Sequence, residues 1–232
     1  MNKNLDIPAF LDRRPLVWNY TMLHTYKNIC PHQAAERFIH KTIPFVETEA
    51  MRFGKDVHTA MEYRIGGKPL PEQFRRWEDF VAPLAARGAK PEMKLAVTVQ
   101  GTATGYFDKD VWGRGKADAV ISSETVAYLG DFKTGSSKYE DPFELRVHAV
   151  LLNARFPALK TIKAQYIWLK EDRWGEVYDV SDTLSTWNEI SAIVEAIEDD
   201  KKRGSFAKRR GPLCAYCPVA NCEHNSNPEM KK

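Results

Sequence analysis

Two short apolar strands, each carrying a carboxylate, constrain this chain more than any other stretch. Gly115-Lys116-Ala117-Asp118 opens the first, which runs to about Ser122; Gly130-Asp131-Phe132-Lys133 closes the second, which begins near Val126. Ala117, Ala119, Val120 and Ile121 are apolar in one, and Val126, Ala127, Tyr128 and Leu129 in the other. Polar Ser122-Ser123-Glu124-Thr125 lies between them as the hairpin loop. Pairing Ser122 with Thr125 sets Asp118 across from Leu129. Side-chain alternation then places Asp118, Leu129, Asp131 and Lys133 on one face, with the two aspartates on a cross-strand diagonal roughly 7–8 Å apart. A slip of one residue would send them to opposite faces.

Carboxylates inside apolar strands are penalised by desolvation and by mutual repulsion. A divalent cation relieves both, and hard oxygen ligands suit Mg²⁺ or Mn²⁺. Lys133 adds a compact positive charge beside that ion. The set suits a phosphate: the cation polarises it and lowers the pKa of a water, while the lysine orients that water or steadies developing charge. A solvated surface hairpin is the competing reading, and strands apolar on both faces argue against it.

A chain of 232 residues suffices for one domain with a sizeable core, or a core with a small appended lobe. With 43% hydrophobic and 28% charged residues it reads as a globular protein rather than a disordered or fibrous one. A net charge of +3 leans only mildly toward polyanions. No apolar run is long enough to span a membrane, and the residues after Met1 lack the apolar segment of a secretory signal. The cytosol is the expected compartment, where four cysteines are ligands or free thiols before they are disulfides.

Along the chain, residues 1–17 read as an irregular arm ending in Arg13-Arg14-Pro15. Thr21 is a candidate cap for a helix carrying Met22, Leu23, Tyr26 and Ile29, and Cys30-Pro31 closes it. A second helix is expected near Gln33–His40. Residues 50–64 read as a helix with Phe53, Val57, Ala60 and Met61 on one face, Gly54 inside it, and His58 beside the apolar stripe. Phe74–Ala86 is another, interrupted by Pro83. Glu92–Val99 alternates as a strand and a further strand is expected near Thr104–Asp108. A helix over 142–156, a strand over 161–170, a shorter strand from Glu176, and a long amphipathic helix from Asp182 or Thr183 to Arg203 complete the pattern. The basic runs Lys201-Lys202-Arg203 and Lys208-Arg209-Arg210 are either a solvated face or a guide for a nucleic-acid backbone. Trp18, Tyr20 and Tyr26 either stack bases or belong to the core.

Cys30 stands near the start, and Cys214, Cys217 and Cys222 near the end as Cys-Ala-Tyr-Cys-Pro-Val-Ala-Asn-Cys. Four thiolates suit zinc or a [4Fe–4S] cluster equally by count. His224 could instead complete a zinc site with Cys214, Cys217 and Cys222, leaving Cys30 a buried thiol.

Asp-x-Lys following a Gly-x-x-Asp hairpin resembles the PD-(D/E)xK nuclease superfamily, in particular its RecB-like exonuclease branch. The one-plus-three cysteine arrangement, with proline after the first, resembles the iron–sulfur members of that branch, such as the AddB nuclease domain and the CRISPR-associated adaptation nucleases. The resemblance spans about Thr21 to Cys222. It implies an α/β fold in one domain over 1–232: a mixed central sheet flanked by helices, as in restriction endonucleases, with a core at about 50–200 and a cysteine-bound lobe from about 18–48 and 204–224. It implies metal-dependent exonucleolytic cleavage of DNA ends or single strands, in the company of recombination, replication or CRISPR-adaptation proteins. By the same resemblance Asp118, Asp131 and the Phe132 carbonyl would hold Mg²⁺ or Mn²⁺, and Lys133 would act on water. Gly54-Lys55-Asp56-Val57-His58 matches the branch's Gly-x-x-x-His helix, which makes His58 a further metal ligand rather than a satisfied core residue. Glu92 falls where the branch has an acidic residue near the metal, the alternative being a solvated strand-start charge. Where the branch carries Gln-x-x-x-Tyr near DNA, this chain has Glu144 and His148. Either Glu144 supports the metal or a lysine, or the motif lies elsewhere. The cluster would hold Cys30, Cys214, Cys217 and Cys222 and close a loop of most of the chain. A non-cleaving DNA-binding module and a zinc-stabilised adaptor are the alternative functions.

Overall fold

The structure is a computed structural model, and it describes residues 16–227; the Arg13-Arg14-Pro15 arm lies outside the described residues. The chain divides into two compact units, one spanning Glu47–Trp187 and one formed by the residues up to Val46 with those from Asn188 onward. The division falls at Trp187/Asn188, within the long helix that the sequence reading assigned to the core up to about residue 200.

The Glu47–Trp187 unit holds a five-stranded mixed sheet in the order β1 (Lys90–Val97), β2 (Gly113–Ser122), β3 (Val126–Lys133), β4 (Thr161–Trp168) and β5 (Arg173–Asp179). Only β3 and β4 pair in parallel; the other three pairs are antiparallel. A parallel pair needs a long crossover, and the helix over Phe143–Arg155 supplies it.

In chain order the helices of the two units are α1 (Tyr20–His24), α2 (Pro31–Ala34), α3 (Glu49–Ile65), α4 (Glu78–Ala86), α5 (Phe143–Arg155) and α6 (Thr183–Arg203). Thr48 caps α3 by accepting from the Met51 N–H. Its apolar face buries Val57, Ala60 and Met61 against Leu84, Ala119, Phe132 and Ile167, side chains whose burial contributes up to about 1.5–3 kcal/mol each. Phe53 departs from the expected stripe: it is 47% exposed and meets Phe74 and Trp77 edge-on. Glu72–Trp77 winds as a tight 3₁₀ segment before α4, so the single helix expected there is two elements. Pro83 does not end α4, because Val81 and Leu84 on either side of it are locked into the core.

The hairpin is shifted from the expected register. Ser122 pairs with Ala127, Val120 with Leu129 and Ala119 with Gly130. The cause is local: Ser123 joins the ladder through its N–H to the Val126 carbonyl and accepts the Val126 N–H on its hydroxyl, leaving Glu124-Thr125 as the turn. The shift is by two in the pairing sum, so side-chain parity survives; the ladder ends at Ala119 with Gly130, and its register continued by one step sets Asp118 opposite Asp131 instead of on its diagonal. Thr104–Asp108 is not a strand; the chain there makes one bridge, Val97 with Ala103, and then a turn. Gly115 has a packing reason: a Cβ would lie 3.0 Å from Leu151 Cδ1 and 3.2 Å from the His148 ring, both on α5.

In the terminal unit the first helix starts one residue before Thr21, because Asn19 takes the Met22 N–H. It passes into a π-helical turn over Thr25–Ile29, where the Thr25 hydroxyl bonds back to the Thr21 carbonyl. Pro31 then opens α2, its missing N–H costing nothing at a first helical position. The Tyr26 hydroxyl donates to Asp200, and the His32 N–H to the Ala207 carbonyl, so early and late segments join. Asp182 caps α6 through the Ser185 N–H. Among the described residues no helix is long and apolar enough to cross a membrane.

Candidate metal centre

Five elements of the Glu47–Trp187 unit, α3, β1, β2, β3 and α5, bring acidic and basic groups together where β2 and β3 part. From α3, His58 Nδ1 lies 3.3 Å from Asp118 Oδ1 and 3.8 Å from Glu92 Oε1. One ligand atom from each of these three residues lies within 4.8 Å of the other two. Asp118 reaches across the gap to accept the Phe132 N–H on Oδ2 at 2.8 Å, which fixes the carboxylate and leaves Oδ1 facing the histidine. Phe132 itself turns its ring into the core.

Glu92 shows that this grouping is held. Its φ is +47°, a left-handed backbone that a non-glycine residue adopts at a cost. The strand pairs on both sides of it, Pro91 with Ala119 and Met93 with Ala117, stay in register. The strained residue turns its carboxylate inward, to 13% exposure, against His58 and an ion pair with Lys116. A solvated charge at a strand start has no need of such a backbone.

Asp131 stands 4% exposed on β3. The Lys133 ammonium is 2.7 Å from its Oδ2, a charge-assisted contact that is the polar partner of this buried oxygen. Lys133 also donates to Glu144 Oε2 of α5 at 2.6 Å and sits 5.2 Å from the Tyr166 ring centre. His148, one turn along, brings Nδ1 to 4.0 Å from Asp131 Oδ1. The two residues that replace the Gln-x-x-x-Tyr pair therefore face the lysine and the aspartate.

The electrostatics follow from this crowding. Burial pushes the Asp118 carboxyl above its usual range and neighbouring Asp131 adds to it, with His58 opposing. Burial likewise raises Glu144, again with Asp131 adding and Lys133 opposing. Burial disfavours a charged His58, but hydrogen bonds to Asp118 and Glu92 outweigh it and push the group up to about 10. Burial also works against Glu92 ionising, and His58 and Lys116 overcome it, holding the carboxyl below its ordinary range. Lys133 keeps its proton more tightly than an ordinary lysine: Asp131 and Glu144 overcome its burial. The result is an acidic nest whose excess negative charge is only partly met by His58, Lys116 and Lys133. Carboxylate oxygens and one imidazole nitrogen form a donor set that fits a divalent cation.

The four cysteines gather in the terminal unit. A cavity of about 250 Å³ is lined by Cys30, Cys214, Cys217 and Cys222, with His32, Arg209 and Arg210 also at its wall. The Arg209 N–H points at Cys30 Sγ and the Gly211 N–H at Cys214 Sγ, each at 3.4 Å. Burial raises the Cys217 thiol, and Cys222, Cys214 and Cys30 raise it further. Among the described residues, no three of the sulfurs lie within 4.8 Å of one another. Around one zinc ion with bonds of about 2.3 Å, tetrahedral sulfurs stand roughly 3.8 Å apart. His224 is not at the cavity wall and lies 4.0 Å from Glu223.

Sequence reasoning gave no role to Lys116. Its signal was the Lys-x-Asp alternation, which sends both side chains to one side of β2. The Lys133–Tyr166 contact carried no signal at all, since parallel pairing of β3 and β4 creates it.

No family model and no curated protein matches the chain. Solved structures share its fold. SSO0001 superposes with a TM-score of 0.54 at 18% identity, over 92% of this chain and 89% of that one. A protein of Eubacterium rectale named "Putative exonuclease" superposes with a TM-score of 0.51 at 13% identity, over 88% of this chain and 87% of that one. At these identities the likeness establishes the fold alone, a mixed sheet flanked by helices.

Proposed function

We propose that this protein is a metal-dependent nuclease hydrolysing DNA phosphodiesters, acting as an exonuclease on ends or single strands. The observation that carries the reading is the convergence of His58, Glu92 and Asp118 within 4.8 Å, in the same unit as a buried Asp131 carboxylate whose Oδ2 is 2.7 Å from the Lys133 ammonium. Asp118, Asp131, His58 and the Phe132 carbonyl would hold Mg²⁺ or Mn²⁺. The ion would polarise a phosphodiester and make a water more acidic. Lys133 supplies a fixed ammonium: held between Asp131 and Glu144, it orients the attacking water or steadies charge on the phosphate. Glu144 is the positioning residue for that lysine. Glu92 acts through His58 and Lys116, keeping the imidazole turned to Asp118.

A [4Fe–4S] cluster on Cys30, Cys214, Cys217 and Cys222 is part of the same proposal. What supports a shared metal group there is that all four cysteines line one cavity of about 250 Å³. Its role is to cross-link the two ends of the chain. We place the protein in the cytosol, with DNA as its partner.

The test is digestion of end-labelled single- and double-stranded DNA with Mg²⁺ or Mn²⁺, resolving product lengths, for the unmodified protein and Asp131→Ala. Cleavage lost only in the variant is expected. DNA bound but left intact by both proteins would make this a binding module instead.

A further inference from the structure

The loop joining β1 to β2 presents aromatic rings beside cations. Phe107 is 76% exposed, and Tyr106 meets it edge-on with ring centres 5.0 Å apart. The Lys94 ammonium of β1 lies 5.4 Å from the Phe107 ring centre and 6.0 Å from that of Tyr106. The Arg114 guanidinium of β2 lies 5.1 Å from Tyr106 and 6.0 Å from Phe107. Among the described residues neither cation forms an ion pair with a carboxylate.

This loop is built to hold its rings outward. The Gly105 N–H donates to Asp108 Oδ2 at 2.8 Å, and the Thr104 hydroxyl donates to Asp110 Oδ1 at 2.8 Å and to Asp108 Oδ2 at 3.1 Å. The two acids nearest the rings are thus engaged in the turn. A Cβ at Gly105 would stand 2.5 Å from Asp108 Oδ2, so a larger residue there would displace the carboxylate that accepts the Gly105 N–H. Arg114 also donates to the Tyr106 carbonyl at 3.3 Å. An exposed phenylalanine alone is ordinary on a protein surface; what marks this one is its pairing with Tyr106 and the two cations beside both rings.

The patch leads to the metal centre. Lys94 pairs across the ladder with Lys116, which is ion-paired to Glu92. Arg114, Lys116 and Asp118 alternate along β2, so Arg114, which lies beside the rings, sits roughly 13 Å of strand from Asp118. That is the length of about four stacked nucleotides at 3.4 Å each.

The geometry points to a docking platform for an unpaired nucleic-acid strand, with Phe107 and Tyr106 stacking bases and Lys94 and Arg114 holding the flanking phosphates. It rests on the nuclease reading above and extends it by fixing where the strand lies. Rings alternating with unneutralised cations suit bases and phosphates in turn, and only an unpaired strand offers its base faces.

The experiment measures binding of a fluorescein-labelled oligothymidine by anisotropy in EDTA, so that nothing is cut. Phe107→Ala is expected to weaken binding about tenfold and Phe107→Leu nearly as much, while Phe107→Trp restores it. Lys94→Gln is expected to lower the slope of log affinity against log salt by about 0.7. Phe107 is exposed, so melting curves should not move. Unchanged affinity in both Phe107→Ala and Phe107→Leu overturns the platform. If those variants bind weakly but the unmodified protein cuts nothing with Mn²⁺, the platform stands and the nuclease reading falls. If the unmodified protein cuts and Phe107→Ala keeps its affinity and KM, the platform alone falls. No binding by the unmodified protein overturns both.

Discussion

The carboxylate centre and the thiol cavity are built in opposite ways. The carboxylates Glu92, Asp118, Asp131 and Glu144 sit on β1, β2, β3 and α5, where backbone hydrogen bonds and a packed core fix each backbone. The cysteines sit on turns: Cys30 after a π-helical turn, Cys214 in a 3₁₀ segment, Cys217 and Cys222 in irregular chain. A sheet can hold like charges close before any ion arrives, and it stores strain at Glu92 to do so. Turns have no comparable stiffness, so a site made from them depends on its own bonds to the metal for order. The first site is expected to be stable empty and inactive; the second is expected to lose structure when stripped.

The sharpest way to break that contrast is to remove each metal separately. EDTA is expected to abolish DNA cleavage while leaving the melting temperature within about 2 °C, whereas removing iron with an oxidant and chelator should lower it by more than about 5 °C. Anaerobically purified protein should be brown and carry iron; a colourless, zinc-loaded sample ends the cluster proposal. Asp131→Asn is expected to reduce cleavage about 10³-fold, roughly 4 kcal/mol of transition-state stabilisation, with little change in melting, as single-turnover kinetics would show. Cys217→Ser should do the reverse, lowering the melting temperature more than it lowers the rate per folded molecule.

Smaller effects sharpen the account of the sheet-borne site. Glu144→Gln keeps a hydrogen-bond acceptor for Lys133 but removes one of its two counter-charges, and is expected to lower kcat about tenfold with KM little changed. Gly115→Ala pushes a methyl against Leu151 and His148 and should cost about 1–2 kcal/mol in urea unfolding. The smallest effect lies at an exposed loop anchor. Glu171 accepts the Ser137 N–H and hydroxyl and pairs with Arg173, which hold its carboxyl down to about 2, against an ordinary value of 4.5. Its contribution is therefore fully present above pH 4.5 and is lost as pH falls toward about 2. Glu171→Gln should flatten that part of the stability profile, and an unchanged acid limb would remove Glu171 as an anchor.

Much of this was legible in the chain itself. Val57, Ala60 and Met61 recur at helical spacing, and α3 buries those residues. The pattern of β2 and β3 placed Asp118 and Asp131 on neighbouring strands with matching parity, because strand alternation is a local property. What failed was also specific. The hairpin register moved by two because the Ser123 hydroxyl, an acceptor the apolar pattern ignores, captured the Val126 N–H. The expected strand at Thr104–Asp108 became a turn because the acids at Asp108 and Asp110 bond Gly105 and Thr104 more cheaply than a ladder would.

Residue types and their periodicity, by themselves, determined most of the helices and strands and which carboxylates share a sheet. Local sterics and hydrophobic spacing act within a few residues and need no partner. The left-handed turn at Glu92, the grip of Glu144 on Lys133 and the meeting of Cys30 with three distant cysteines belong to the tertiary structure alone. Each depends on elements far apart in the chain arriving together, and only the packed fold supplies the energy to hold strained backbone, like charges and buried thiols where they would not otherwise stay.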